Sequence, residues 1–413
     1  MLAIKAGRAF DGEQQMPGGV LALIDQGRIV GVEPAAAPLP EGWAVVEFPG
    51  ATVLPGLIDT HVHLGGDSHD GALDRLPGYR DNELTDVIEA ALRHHVAVGV
   101  TTVRDLGDRR WSVLEHRDRA AGSGGGVTAP TIVASGPPIT SVRGHCWPMG
   151  GEAEGAAQLR AAIRERAERR VDVVKIMASG GVMTAGTDLL GCQFSLDDLR
   201  LIVDEAHAAG LPVTAHAHAL PAVEQAVKAG VDGIEHCTCL TPSGVDAPEI
   251  LLERLADSRI AVCPTLGRAA GLSPSPAYVQ RMQRRGVTWE KLLEQVGRAH
   301  QAGVRLLAGT DGGIADSKPH GILPTAIADL VASGVSASEA LASATSIAAQ
   351  VCGLGTRKGG LRVGYDADLL VVDGDPFADI HALTQTAAVM VGGHWVDFAA
   401  VSSVDDLATA TTG

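Results

Sequence analysis

Through its middle the chain alternates short apolar runs with amphipathic stretches, and the period of the pattern switches between strand and helix. The apolar runs predict strands over residues 52–61, 99–106, 131–136, 171–177, 212–218, 231–237, 260–266 and 304–311. Eight is the number that closes a (β/α)8 barrel. Between them, SLDDLRLIVDEAHAAG opens on Ser195 with Asp198 three residues later, a capping-box pattern. Leu199, Ile202, Val203 and Ala206 follow helical spacing, and Gly210 ends the helix. LPAVEQAVKAG and WEKLLEQVGRAHQAG repeat the design.

The two ends of the chain differ from the middle. Residues 1–50 and 356–413 carry short alternating segments such as LALIDQGRIVGVE and DADLLVVDGD, and Gly392-Gly393 lies between two β-like runs as a hairpin signal. The expectation is a TIM barrel over residues 51–355 and a small composite β-sandwich domain from both termini. The closing TATTG reads as a loose tail.

Composition narrows the function classes. The 413 residues carry a net charge of −16, which disfavours binding to nucleic acid or an anionic membrane. No uncharged apolar stretch is long enough to span a bilayer, and the first residues lack signal-peptide features, so a cytoplasmic protein is expected. The six cysteines form no CxxC pair; free thiols are the simplest account, with Cys237 and Cys239 packing at a strand end.

The chemistry concentrates where apolar strands end. PGLIDTHVHLGG places His61 and His63 two residues apart, on one face of a strand, with Asp59 pointing the same way one step earlier. Lys175 stands inside the apolar VDVVKIMASGG; His216, His236 and Asp311 close the fifth, sixth and eighth strands. In a barrel these C-terminal ends converge on one mouth. One strand-end histidine is ordinarily hydrogen-bonded structure. Six such residues from five strands, all at the same end, favour a metal site.

This set resembles the amidohydrolase superfamily in its binuclear, carboxylated-lysine form: HxH on strand one, Lys on strand four, His on strands five and six, Asp on strand eight. The resemblance implies two divalent metal ions, zinc first with manganese, cobalt or iron as alternatives. One takes His61, His63 and Asp311 and the other His216 and His236. Lys175, carboxylated by carbon dioxide, bridges them. It further implies a metal-bridging hydroxide, with Asp311 as proton shuttle.

Three neighbours are weighed beside that set. His145, in a Gly-bearing loop after strand three, matches a family histidine that hydrogen-bonds the substrate carbonyl or oxyanion. His218 shares a strand face with His216 and suits substrate contact or structural support equally. Arg104-Asp105 reads as a structural ion pair rather than a carboxylate clamp. KIMASGGVMT, AHAH and IEHC resemble the branch of Xaa-Pro and Xaa-Arg/Lys dipeptidases and N-acyl-amino-acid hydrolases. His218 stands where those members often carry a tyrosine. The expected reaction is hydrolysis of an amide bond in a small molecule by a homo-oligomer.

Two rival readings are an imidazolonepropionase-like deaminase or cyclic-amide hydrolase and a non-catalytic scaffold. Deaminases of the superfamily carry HxxE after strand five, whereas this chain has Ala219 in the Glu position and retains Lys175. Scaffolds lose ligands, and here all six are present.

Overall fold

The computed structural model describes residues 1–122, 129–272, 274 and 276–398; the closing tail, 409–413, and the end of the expected terminal domain, 399–413, lie outside them. Eight parallel strands alternate with helices in the order of a TIM barrel: Leu57–Val62, Val100–Asp105, Thr131–Ala134, Val174–Met177, Val213–Ala219, Gly233–Thr241, Ala261–Cys263 and Arg305–Leu306. The first three form one hydrogen-bonded sheet and the last five another. Single bridges cross the two seams, Ile139 to Ile176 and Val62 to Gly312, so among the described residues the ladder is not continuous around the barrel.

The helices form as their patterns predict. Ser195 accepts a hydrogen bond from the Asp198 amide, and the Asp198 side chain returns to the Ser195 backbone, starting Leu196–Ala208. Leu199, Ile202, Val203 and Ala206 are buried against the barrel; each large side chain contributes about 1.5–3 kcal/mol by leaving water. Gly210, at φ 75°, adopts the left-handed conformation that closes this helix.

Strands from both ends of the chain make one eight-stranded mixed sheet. Ala44–Pro55 joins the halves, parallel to Leu2–Phe10 and antiparallel to Leu369–Asp373, with Val53 opposite Val371. The hairpin signal holds: Gly392 and Gly393, both at positive φ, connect Thr386–Val391 to His394–Trp395.

One expected strand is corrected. Residues 52–61 are not continuous: 52–55 finish the long strand of the terminal sheet, and the barrel begins at Leu57. Pro55 has no amide hydrogen to carry the ladder on. At Gly56 a Cβ would lie 2.2 Å from Thr101 Oγ1, so only glycine lets the chain pass. No helix among the described residues is long and apolar enough to cross a membrane.

Candidate active site

His61, His63, Lys175, His216, His236 and Asp311 all line one cavity at the C-terminal ends of the strands, with His145 and His218. Alternation along the first strand sets His61 and His63 side by side, ring centroids 5.4 Å apart. Asp59 lies beneath them, accepting hydrogen bonds from the amides of His61 and Thr310 and, at 2.7 Å, from Thr310 Oγ1. Burial pushes its carboxyl up to about 7.

Alternation alone would not bring His236 to the mouth. In the parallel register Glu235 stands opposite His216 and shares its face, which leaves His236 on the other side. His236 instead has φ 67°, a left-handed conformation costing about 1–2 kcal/mol for a non-glycine residue. That twist turns its ring inward, 4.6 Å from His216 and 5.3 Å from His61. Asp311 is likewise left-handed, at φ 59°, in irregular chain beyond the short eighth strand. Strain of this kind collects at functional sites.

The hydrogen bonds fix which ring nitrogen of each histidine is free. His61 Nδ1 donates to Glu235 Oε2 at 2.7 Å and His63 Nδ1 to the Gly107 carbonyl at 3.1 Å. His216 Nε2 donates to the Gly180 carbonyl at 3.3 Å. Thr265 Oγ1 gives its own hydrogen to the Pro264 carbonyl and so accepts from His236 Nδ1 at 2.8 Å. Each bond leaves the other nitrogen with a lone pair, the arrangement that orients imidazoles toward a metal. Burial holds His61 near 4 and His216 and His236 well below the ordinary value, so they are neutral.

Among the described residues three triplets could hold cations, two of them at the mouth and the third, buried His61, Glu235 and Cys263, not wholly within the cavity lining. In His61, His63 and Asp311, and again in His216, His218 and His236, the donor atoms lie within 4.8 Å of one another. Asp311 Oδ1 stands 3.2 Å from His63 Nε2 and 3.4 Å from His61 Nε2. Burial opposes its charge, but the surrounding imidazoles and Lys318 keep its pKa well below the carboxylate range. The same carboxylate, acting against burial, raises His63. The pair therefore calls for a positive charge between them, a proton or a metal ion.

Lys175 provides the test of fit. Its side chain is buried, and Nζ has no hydrogen-bond partner. Desolvation lowers its pKa toward the neutral amine, the form that can add carbon dioxide. An orphaned amine beside two triplets of metal-type donors fits a bridging group between two cations.

The other neighbours fall into place with one correction. Arg104 does not pair with Asp105. Its Nη2 reaches Glu235 Oε1 at 3.1 Å and its Nε donates to the Thr60 carbonyl, while Asp105 accepts the amides of Leu64 and Gly107. Alternation explains the split, since adjacent strand residues point to opposite faces. Glu235 was missed in the sequence, although an acidic residue inside the apolar VDGIEHC was the signal. Arg104 and His61 overcome burial and hold it ionised. Lys318 was missed too; its Nζ ties the carbonyls of Thr265, Leu266 and Thr310 together. His218 Nδ1 bonds Thr238 Oγ1 at 2.8 Å, and its ring stacks on His236 at 4.4 Å.

Comparison with known proteins then decides the family. The model of the amidohydrolase family matches residues 52–396. The chain belongs to the amidohydrolase family.

This amidohydrolase is 31% identical over 346 residues to an uncharacterized protein of Mycobacterium tuberculosis, covering 82% of this chain and 83% of the relative. It is 27% identical over 376 residues to the ochratoxinase of Aspergillus niger, covering 82% of this chain and 73% of that one. The crystal structure of a Xaa-Pro dipeptidase with methionine bound in its active site matches with a TM-score of 0.82 at 25% identity, covering 96% of this chain and 99% of that chain. These relatives support a hydrolase and the dipeptidase-like branch, in a family that generally binds divalent metal.

Proposed function

We propose that this amidohydrolase cleaves the amide bond of a dipeptide or an N-acyl amino acid with the help of two divalent metal ions. The observation that carries the reading is Lys175 Nζ, buried without a hydrogen-bond partner beside His61, His63, Asp311, His216 and His236. In the proposed arrangement one ion would be held by His61, His63 and Asp311, the other by His216 and His236. The Lys175 amine, on adding carbon dioxide and giving up a proton, would become an anionic carbamate able to help hold both ions. When bound, such ions acidify a water and polarise a carbonyl.

The remaining work belongs to the chain. Asp311, the carboxylate 3.2 Å from His63 and 3.4 Å from His61, would accept the proton of the attacking water and hand it to the departing nitrogen. His145 is buried and held neutral, near 3, largely by desolvation. Thr184 Oγ1 accepts the Cys146 amide and lies 2.9 Å from His145 Nδ1, while Cys146 Sγ lies 3.5 Å from Nε2. In the proposed tautomer Nε2 carries the hydrogen and donates it to the substrate oxygen as charge develops there. His218, stacked beside His236, lies in reach of the substrate.

The test is a panel of dipeptides and N-acyl amino acids, with zinc, manganese or cobalt supplied in turn. The expected result is metal-dependent release of the amino acid from at least one class, lost on chelation. A metal-loaded protein that deaminates or opens cyclic amides while leaving the whole panel untouched would overturn the proposal.

A further inference from the structure

The cavity at the mouth, about 460 Å3 in volume, does not end at the histidines. Past Cys237 and Thr238 it enters the layer between the last three strands and the helices Glu249–Ser258 and Trp289–Gln301. Leu252, Leu255, Val262, Val296 and Leu306 line this inner chamber. A single polar side chain, Gln295, interrupts the apolar face that Leu292, Val296 and Ala299 form on their helix.

The orientation of that amide is determined. Gln295 Nε2 donates to the carbonyls of Cys237 and Thr238, both at 3.0 Å. A flipped amide would set oxygen against both carbonyls. Oε1 therefore faces away from the sixth strand. It is buried, and no donor among the described residues reaches it. An acceptor left unpaired in an apolar interior is costly, and a ligand that brings a donor removes the cost.

We propose that the chamber takes the side chain of the substrate and selects an aromatic one with a single N–H or O–H donor, which Gln295 Oε1 accepts. Phenol and indole groups meet both conditions, an apolar body and one polar tip that needs a partner when buried. Benzyl and isobutyl groups fill the space but leave the acceptor unpaired. This specificity rests on the amide-hydrolase reading, and Gln295 takes no part in bond cleavage.

The experiment titrates 4-ethylphenol, 3-methylindole and ethylbenzene into the zinc-loaded full chain by calorimetry, and into Gln295→Met and Leu255→Phe. The phenol and the indole should bind about tenfold more tightly than ethylbenzene, the size of one buried hydrogen bond. Gln295→Met should level the three, and Leu255→Phe, which fills the chamber, should weaken them all. Equal binding of phenol and ethylbenzene to the wild-type chain overturns the proposal, even if neither variant folds. Turnover separates it from the reaction itself. Fragments that bind in the expected order while N-acetyl-tyrosine and N-acetyl-phenylalanine stay intact support the chamber and count against the hydrolase reading. Equal kcat/KM for the two amides with no fragment preference removes the chamber alone.

Discussion

Lys358, where the terminal sheet meets the barrel, is 6% exposed, and Lys175, at the barrel mouth, is 1% exposed. The first is fully provided for: its Nζ pairs with Asp368 and lies 3.3 Å from Asp366, which also binds Arg28 and Arg357. The second has no hydrogen-bond partner at all. Burying an ammonium is expensive, and a chain that needs one only for its fold supplies carboxylates at once. An amine buried with no carboxylate bonded to it, Glu235 and Asp311 acting only at a distance, is kept for something that arrives later. The contrast extends to the surroundings. The terminal sheet has register shifts in three strand pairs but keeps positive φ to its turns, at glycines and Gln26, whereas the mouth holds His236, Thr265 and Asp311 in left-handed backbone.

Exchanging each lysine for methionine should separate the two roles most sharply. Lys175→Met should abolish turnover, with partial rescue by short carboxylic acids, yet leave the stability of the metal-free chain unchanged or slightly raised. Lys358→Met should keep kcat/KM but lose about 3–5 kcal/mol in denaturant unfolding, because Asp368 is left buried and unpaired. A stability loss at Lys175 equal to that at Lys358 would erase the distinction.

The next effect is smaller and confined to the mouth. His145→Ala should lower kcat by roughly two to three orders of magnitude while metal content stays constant, as for a lost oxyanion donor. Unchanged kinetics would assign His145 to structure.

Acid should reveal the mouth as the weaker region. His145 is held near 3, and His61, His218 and His320 near 4, by burial, against an ordinary value of 6.5. Below 6.5 the unfolded chain takes up protons that the folded one refuses. Stability is therefore complete above that pH and falls as pH drops toward 4, by up to about 1.4 kcal/mol per unit per histidine. Asp59 and Asp108, raised to about 7, act in the opposite sense but are outnumbered. Urea midpoints of the metal-free chain that stay flat between pH 7 and 5 would contradict this balance.

The order of strands and the residues gathered at the mouth were legible because each polar residue closes an apolar run, where an unpaired imidazole or carboxylate would be costly. Other features depend on partners far along the chain. Glu235 lies 131 residues from Arg104, and neither spacing nor composition joins them. The change of sheet at Gly56 is hidden because VLPGLID is apolar on both sides of the break. The left-handed turn at His236 leaves no local mark, since nothing in IEHC requires a positive φ. The eighth strand, expected over 304–311, is regular only at Arg305–Leu306; beyond it the Thr310 amide is shared between Asp59 and the His61 carbonyl, and Asp311 turns left-handed.

The central claim is that the unpartnered amine of Lys175 is completed by cations, and metal stoichiometry tests it most directly. The purified chain, loaded with zinc in bicarbonate buffer and freed of excess metal, is analysed by plasma mass spectrometry beside Lys175→Met and Lys358→Met. The account predicts two ions per chain for wild type and Lys358→Met, and fewer for Lys175→Met. Two ions held equally by all three proteins, or an amide-hydrolysing wild type that binds none, would contradict it.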